Sequence, residues 1–311
     1  ALYNGASHMG LEDMGILQNI PNLTLIEPCD TVQLASVLHQ VKDTYGLHYI
    51  RMNRKNANTV YEEGTEFQIG KGLVLKEGGD VTIIASGIMV ELSLKAAELL
   101  EAEGIHATVI DMFTWKPLDE ELVLAYAEKT GAIVTAENHR IATGLGSAVA
   151  NLLSEHQMVP LGRTGVGNVY GEVGVLPYLL ERFEMRPEDI AQKAKHRAQV
   201  RREVFELDNE LKRLKKTAVQ IRRDIIEATS HGKGGGIHVG PALSSVDLVT
   251  ALYFKIMTVN PENPEWMQRD RFILSKGHAY AVWYSALAEK GFFPREELLT
   301  MRAINSRLQG H

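Results

Sequence analysis

Cysteine is nearly absent: Cys29 is the single one in 311 residues. That excludes a disulfide within the chain and any zinc site of ordinary thiolate count. No apolar run approaches the ~20 residues that cross a bilayer; the longest worth weighing, Val81–Val90, is broken by Ser86 and Gly87. The N-terminal segment has no basic stretch followed by a small-residue cleavage site, so the chain reads as soluble and cytoplasmic. A basic excess is missing too. Lys and Arg number 33 against 39 Asp and Glu, a net charge of −6, which has the wrong sign for a protein that lives on nucleic-acid phosphates. No repeat or low-complexity tract occurs. Neither Gly144–Ser147 nor Gly232–Gly236 leads into Gly-Lys-Ser/Thr, which excludes a Walker loop. Gly144–Ser147 also lacks the third glycine and the downstream acid of a dinucleotide site, and reads as a helix start packed closely on a sheet. What remains, at 45% apolar residues, is a globular chain with room for about two domains.

The patterning alternates between periods of two and 3.6 over residues 80–153. Runs at 81–87, 107–112 and 132–136 read as strands; 91–103, a segment opening at Lys116-Pro117-Leu118-Asp119 and running to about 130, and 146–154 read as helices. Strand–helix alternation of this kind makes a parallel sheet with crossover helices, the α/β class. Upstream, Leu23–Ile26 and His48–Met52 read as strands around a helix that Asp30 caps. Two strands are too few for a sheet covered on both faces, so this stretch is expected to be part of a domain. From Leu207 the apolar residues Leu207, Leu211, Leu214, Ala218, Ile221 and Ile225 mark one helical face, with Lys212, Arg213, Lys215 and Lys216 on a solvated one. A further helix is expected from Ser244 to about Thr258. Residues 190–206, charged and helix-prone, read as a boundary or linker.

Four histidines stand in loops beside small residues: His8, His238, His278 and His311. Glycine lets backbone approach a ligand while imidazole exchanges a proton near neutral pH. Their spacing is not that of zinc ligands. Arg54 follows a strand, and a guanidinium at a strand end suits a phosphate or carboxylate. Residues alone thus give an α/β protein with a polar pocket for an anionic small molecule.

The segment Arg269-Asp270-Arg271-Phe272-Ile273-Leu274-Ser275-Lys276-Gly277-His278-Ala279 resembles the signature of the diphosphate-binding domain of transketolases. Asn260–Pro264 before it and Ser306–His311 after it are similar to flanking motifs of that family. Asn4–His8, Leu23–Asp30 and the Arg54 segment resemble its pyrimidine-binding domain, and Gly70 to about Ala191, including Ala136-Glu137-Asn138-His139, its C-terminal domain. The style is closest to split, two-subunit members. The resemblance implies layered parallel-sheet domains of the thiamine-diphosphate-binding type: 1–62 a partial pyrimidine-binding domain, 63–200 a C-terminal domain, and 201–311 the first part of a diphosphate-binding domain. This order differs from the family's.

The implied activity is transfer of a two-carbon ketol unit between sugar phosphates, with thiamine diphosphate and Mg2+, in a homodimer or heterotetramer whose site lies at the subunit interface. It implies that His238 contacts substrate hydroxyls and assists proton transfer, and that His278 and His311 line the cofactor channel. It places His8 near the donor ketose, Asn4 where many members have an aspartate that reads a sugar hydroxyl, and Arg54 on the substrate phosphate. The family's metal-holding Gly-Asp-Gly…Asn segment and its activating glutamate are expected outside these 311 residues, and the chain is expected to be inactive alone. Neither a nucleic acid nor a membrane is an expected partner. The alternatives are another enzyme of the same cofactor, such as deoxyxylulose-phosphate synthase or a 2-oxoacid dehydrogenase component, or a non-catalytic assembly subunit.

Overall fold

A computed structural model describes residues 5–53, 58–234 and 236–310. The chain divides into two compact units, Ala1–Glu203 and Val204–His311. Asn4, Arg54 and His311 lie outside the described residues.

The first unit opens with α1 (Asp13–Leu17), β1 (Leu23–Ile26), α2 (Thr31–Lys42) and β2 (Leu47–Ile50). There follow β3 (Leu73–Lys76), β4 (Val81–Ala85), α3 (Met89–Ala102), β5 (Ala107–Asp111), β6 (Thr114–Lys116) and α4 (Glu120–Thr130). The unit continues with β7 (Ile133–Arg140), α5 (Leu145–His156), β8 (Leu161–Val166) and α6 (Leu176–Arg182). Asp30 caps α2 as its sequence position predicts, accepting from the Gln33 amide at 2.8 Å.

A five-stranded sheet runs in the order β3-β5-β4-β7-β8, parallel except for the antiparallel edge strand β3. Every residue of β4 and β5 is buried, the condition of a parallel strand covered on both faces. Period two sorts their side chains. Ile83, Val109 and Val134 pack with Ala96, Ala97 and Leu100 of α3, while Ile84, Ile110 and Ile133 pack with Val123, Val149 and Leu153 of α4 and α5.

The N-terminal strands form a second sheet in the order β2-β1-β6. β1 is parallel to β2 and antiparallel to β6. The residues before Pro117 therefore form a short strand where sequence signals mark only a helix start. Pro117 and the cap Asp119 do announce α4, whose Leu122 amide donates to Asp119, but they say nothing of the pairing just upstream.

Helix α7 spans Pro187–His231, and the division between the units falls inside it. Residues 190–206, read as a boundary or linker, are thus helical. Helix α7 has no glycine and carries proline only at its first position, where the missing N–H costs nothing. In the second unit's part of α7 the apolar face starts later than its spacing suggests: Leu207 and Leu211 are 66% and 47% exposed, and burial begins at Ala218.

The second unit continues with α8 (Val239–Leu243), α9 (Val246–Ala251) and α10 (Tyr280–Lys290). A π-helical turn, Leu252–Ile256, follows α9 within the stretch read as one helix. Ala218, Ile221 and Ile225 of α7 pack with Val246, Val249, Ala281 and Val282 in its core. Among the described residues, no helix is long and apolar enough to cross a membrane.

A buried acid in the core makes stability depend on pH. Asp111 ends β5 fully buried, and its Oδ2 accepts from Gln33 Nε2 and from the Tyr61 hydroxyl, each at 2.7 Å. Burial pushes its carboxyl up to about 7 against those two hydrogen bonds, which favour the ion. An unfolded aspartate ionises near pH 3.9. Between those values the folded state keeps a proton that the unfolded state has lost, so stability falls as pH rises from about 4 to 7. The melting temperature of the first unit, followed by circular dichroism, should drop across that range. Asp111→Asn should reduce the slope, leaving the share of the likewise buried Glu137; an unchanged slope would exclude Asp111 as a source.

Candidate functional site

β1 and β2 end side by side, with Ile26 opposite Ile50. The next residues, Glu27 and Arg51, meet through their side chains, and the pair is buried. The Arg51 guanidinium donates to Glu27 Oε1, to Asp13 Oδ2 at 3.2 Å, to the Gly10 carbonyl and to the Asn138 carbonyl at 2.9 Å. The Tyr49 hydroxyl donates to the same Asp13 oxygen at 2.8 Å. On the other side Ser86 donates to Glu27 Oε2 at 2.6 Å and itself accepts from Trp115 Nε1 at 2.9 Å. Every oxygen of Glu27 is thus an acceptor, the arrangement of a carboxylate.

A second buried acid stands behind it. Glu137 accepts the backbone N–H of Leu145 at 2.7 Å and of Gly146 at 3.0 Å, closing the N-terminus of α5. Burial, aided by nearby Glu27, pushes its carboxyl up to about 8 although the two amides pull the other way. The chain's own Glu137 carboxyl thus fills the position at the start of α5 where Gly144–Ser147 could have met an anion. A Cβ on Gly144 would lie 1.6 Å from Glu137 Oε2, so only glycine fits there. His139 accepts the Gly15 amide at Nε2 (3.2 Å) and faces the Arg140 carbonyl with Nδ1 (3.0 Å), which fixes the neutral Nδ1–H tautomer. Burial holds its pKa below the usual histidine range.

A cavity of about 350 Å3 opens against this network, lined by His8, Asp13, Tyr49, Arg51, Asn53 and Asn138 among others. His8 is exposed, and its Nδ1 lies 2.9 Å from the Ser7 hydroxyl. Sequence reasoning reached His8 but missed Glu27, Arg51 and Glu137. A charged residue directly after an apolar strand was the available signal.

The second unit brings His238 and His278 together. Their ring centroids are 5.9 Å apart and their planes cross at 80°. His238 stands at the N-cap of α8, and His278 in the 3-10 turn Gly277–Ala279 that leads into α10. Lys276 ties the two segments, its Nζ reaching the Pro241 carbonyl at 3.2 Å and the Ser244 hydroxyl at 3.1 Å. The glycine loop before His238 serves close backbone approach: a Cβ on Gly234 would lie 2.0 Å from the Met301 carbonyl, and Gly236 has a φ of +66°.

Family models describe these two regions. That of the transketolase C-terminal domain matches residues 70–190, and that of the transketolase thiamine diphosphate binding domain matches residues 213–311. The chain belongs to the transketolase family. It is 48% identical over 191 residues to the 6-deoxy-6-sulfo-D-fructose transketolase subunit SqwH of Clostridium sp. (strain MSTE9), covering 61% of this chain and 59% of that one. It is 38% identical over 198 residues to a 1-deoxy-D-xylulose-5-phosphate synthase of Heliobacterium modesticaldum, covering 63% of this chain and 31% of the relative. Among solved structures, a split-gene transketolase described as an inactive beta4 tetramer aligns with a TM-score of 0.60 and 40% identity over 63% of this chain and 64% of that chain. The chain therefore spans under two thirds of each of these relatives.

The matched domain type binds thiamine diphosphate, and the described residues fit that group in part. The paired imidazoles of His238 and His278 supply hydrogen-bonding groups beside a glycine. A hard divalent cation such as Mg2+ takes oxygen ligands, and among the described residues no group of three or more His, Cys, Asp or Glu side chains is arranged to hold a metal ion.

Proposed function

We propose that this transketolase-family chain contributes to an enzyme that transfers a two-carbon ketol unit between sugar phosphates. The observation that carries the reading is the pairing of His238 with His278 inside the stretch matched by the thiamine diphosphate binding domain. When bound, thiamine diphosphate supplies the electron sink for carbon–carbon cleavage, which no side chain offers. His238 takes a proton from a sugar hydroxyl and returns it. His278 and His311 border the cofactor. His8 and Asn4 meet the donor sugar, and Arg54 holds its phosphate. The reading takes 1–62, 63–200 and 201–311 as pyrimidine-binding, C-terminal and diphosphate-binding portions, working as a homodimer or heterotetramer. A relative that is itself a subunit supports an assembly of several polypeptides.

The test is a ketol-transfer assay on the chain reconstituted with its partner polypeptides, with and without thiamine diphosphate and Mg2+. Cofactor-dependent transfer is the expected result; no transfer in the complete mixture overturns the reading. The similarity to a 6-deoxy-6-sulfo-D-fructose transketolase subunit favours a second donor class, in which a sulfonate replaces the phosphate. Assaying sulfonated and phosphorylated ketoses side by side separates the two.

Arg54→Ala should raise KM for anionic substrates by ~10- to 150-fold, the scale of a contact worth about 1.5–3 kcal/mol. Uncharged sugars should lose much less, and thiamine diphosphate affinity should not change. Equal losses for charged and uncharged donors would exclude an anchoring role.

A further inference from the structure

We infer that Arg51 is a positioning residue that holds His8 in place for the donor sugar; the role of His8 rests on the function proposed above. Arg51 lines the same cavity as His8, and a cavity arginine invites the reading of an anion anchor. Its hydrogen bonds exclude that. Nε and both terminal nitrogens already donate to Asp13, Glu27, the Gly10 carbonyl and the Asn138 carbonyl, which uses four of its five N–H groups. Two carboxylates face its single charge, so nothing is left to attract a phosphate or sulfonate.

What the contacts do is mechanical. Gly10 and Asp13 come two and five residues after His8, Glu27 follows β1, Asn138 lies within β7, and Arg51 itself follows β2. One guanidinium therefore clasps the His8 segment to three strands. Tyr49, within β2 and two residues before Arg51, adds a second hold on Asp13. Arg140 repeats the device from β7: its side chain donates to Glu12 and its amide to the Leu11 carbonyl at 3.0 Å. Among the described residues, the segment's internal backbone bonds are short-range, Met9 to Ala6 at 3.2 Å and Leu11 to Met9 at 3.1 Å. Leu11 anchors it in the core with Met9 packed beside it, and the arginines from elsewhere in the unit fix its polar backbone and acids.

The planar fork is essential to such a clasp. A lysine keeps the charge on Glu27 but cannot reach acceptors on several sides at once. Hydrogen exchange on the full chain reads this without any activity. In Arg51→Lys, amides of residues 8–13 should exchange at least ~10-fold faster, with those of β4 unchanged. Unchanged exchange in 8–13 overturns the inference. If β4 also opens, Tyr49→Phe decides: faster exchange confined to 8–13 supports the clasp, and wild-type exchange there overturns it.

In the reconstituted enzyme, Arg51→Lys should lower kcat/KM for the ketose donor by ~10- to 100-fold, the scale of a small misplacement, leaving thiamine diphosphate affinity unchanged. Placed on His8→Ala, the same substitution should cost less than about twofold more, because it acts through His8. Penalties that multiply overturn the role. A wild-type assembly without ketol transfer would remove the proposed function and leave the exchange result standing.

Discussion

Glu27→Ala should destabilise the first unit by about 3–5 kcal/mol, the cost of breaking a buried ion pair from one side. The Glu27 side chain is 3% exposed and that of Arg51 12%, so neither charge recovers hydration when the other is removed. The substitution leaves Arg51 with Asp13 as its one carboxylate, and it strips the Ser86 hydroxyl, which accepts from the Trp115 indole, of its own acceptor. Asp13 retains part of the compensation, which places the expected loss toward the lower end. Glu27→Gln keeps the shape and one acceptor oxygen and should lose less. Urea unfolding is the measurement, with 5-fluorotryptophan labelling to separate Trp115 from the other two of the three tryptophans. A loss below about 1 kcal/mol for Glu27→Ala would mean that water reaches the pair in solution.

His278→Ala should reduce kcat of the reconstituted enzyme by ~10²- to 10⁴-fold, the contribution of a positioned proton-transfer group. The argument is geometric. His278 is half-buried in a turn that Lys276 fixes to the segment after His238, and the two rings stand edge to face at 5.9 Å. Groups that work as one unit are non-additive. The double variant His238→Ala/His278→Ala should therefore fall little below the worse single one. A product of the two single losses would mean that the histidines act independently, and a loss under about threefold in His278→Ala would remove it from the proton path. Kinetics with saturating thiamine diphosphate keep the comparison free of cofactor occupancy.

Much of this architecture was legible in local pattern. The alternation over 80–153 yields the parallel sheet because period two and period 3.6 are local signals, and Asp30 and Asp119 announce their helices because capping spans only three residues. His238 and His278 stood out as histidines beside glycines, though their spacing of forty residues hid that they touch. The Glu27–Arg51 pair was not legible. Charge next to an apolar strand looks the same whether it turns to solvent or to a buried partner. β6 was lost for a related reason: a three-residue strand is defined by the strand it pairs with. In α7 the charged stretch at 190–206 was helix-prone from its composition, and the two units divide within it; its charges masked a weaker signal, the spacing of four that buries Ile190, Ala194 and Ala198.

The pairing of β1 with β6 has a consequence for synthesis. Leu25 finds its antiparallel partner in Lys116, so a ribosome that has delivered β1, α2 and β2 has made a two-stranded sheet with an open edge. That edge stays unfilled until the chain has passed the whole β3–β5 stretch. Open edges recruit other strands, and late long-range pairing lengthens the exposure. A truncated product ending between Asp111 and Thr114 should therefore be aggregation-prone even though β4 and β5 are already present to pair with each other.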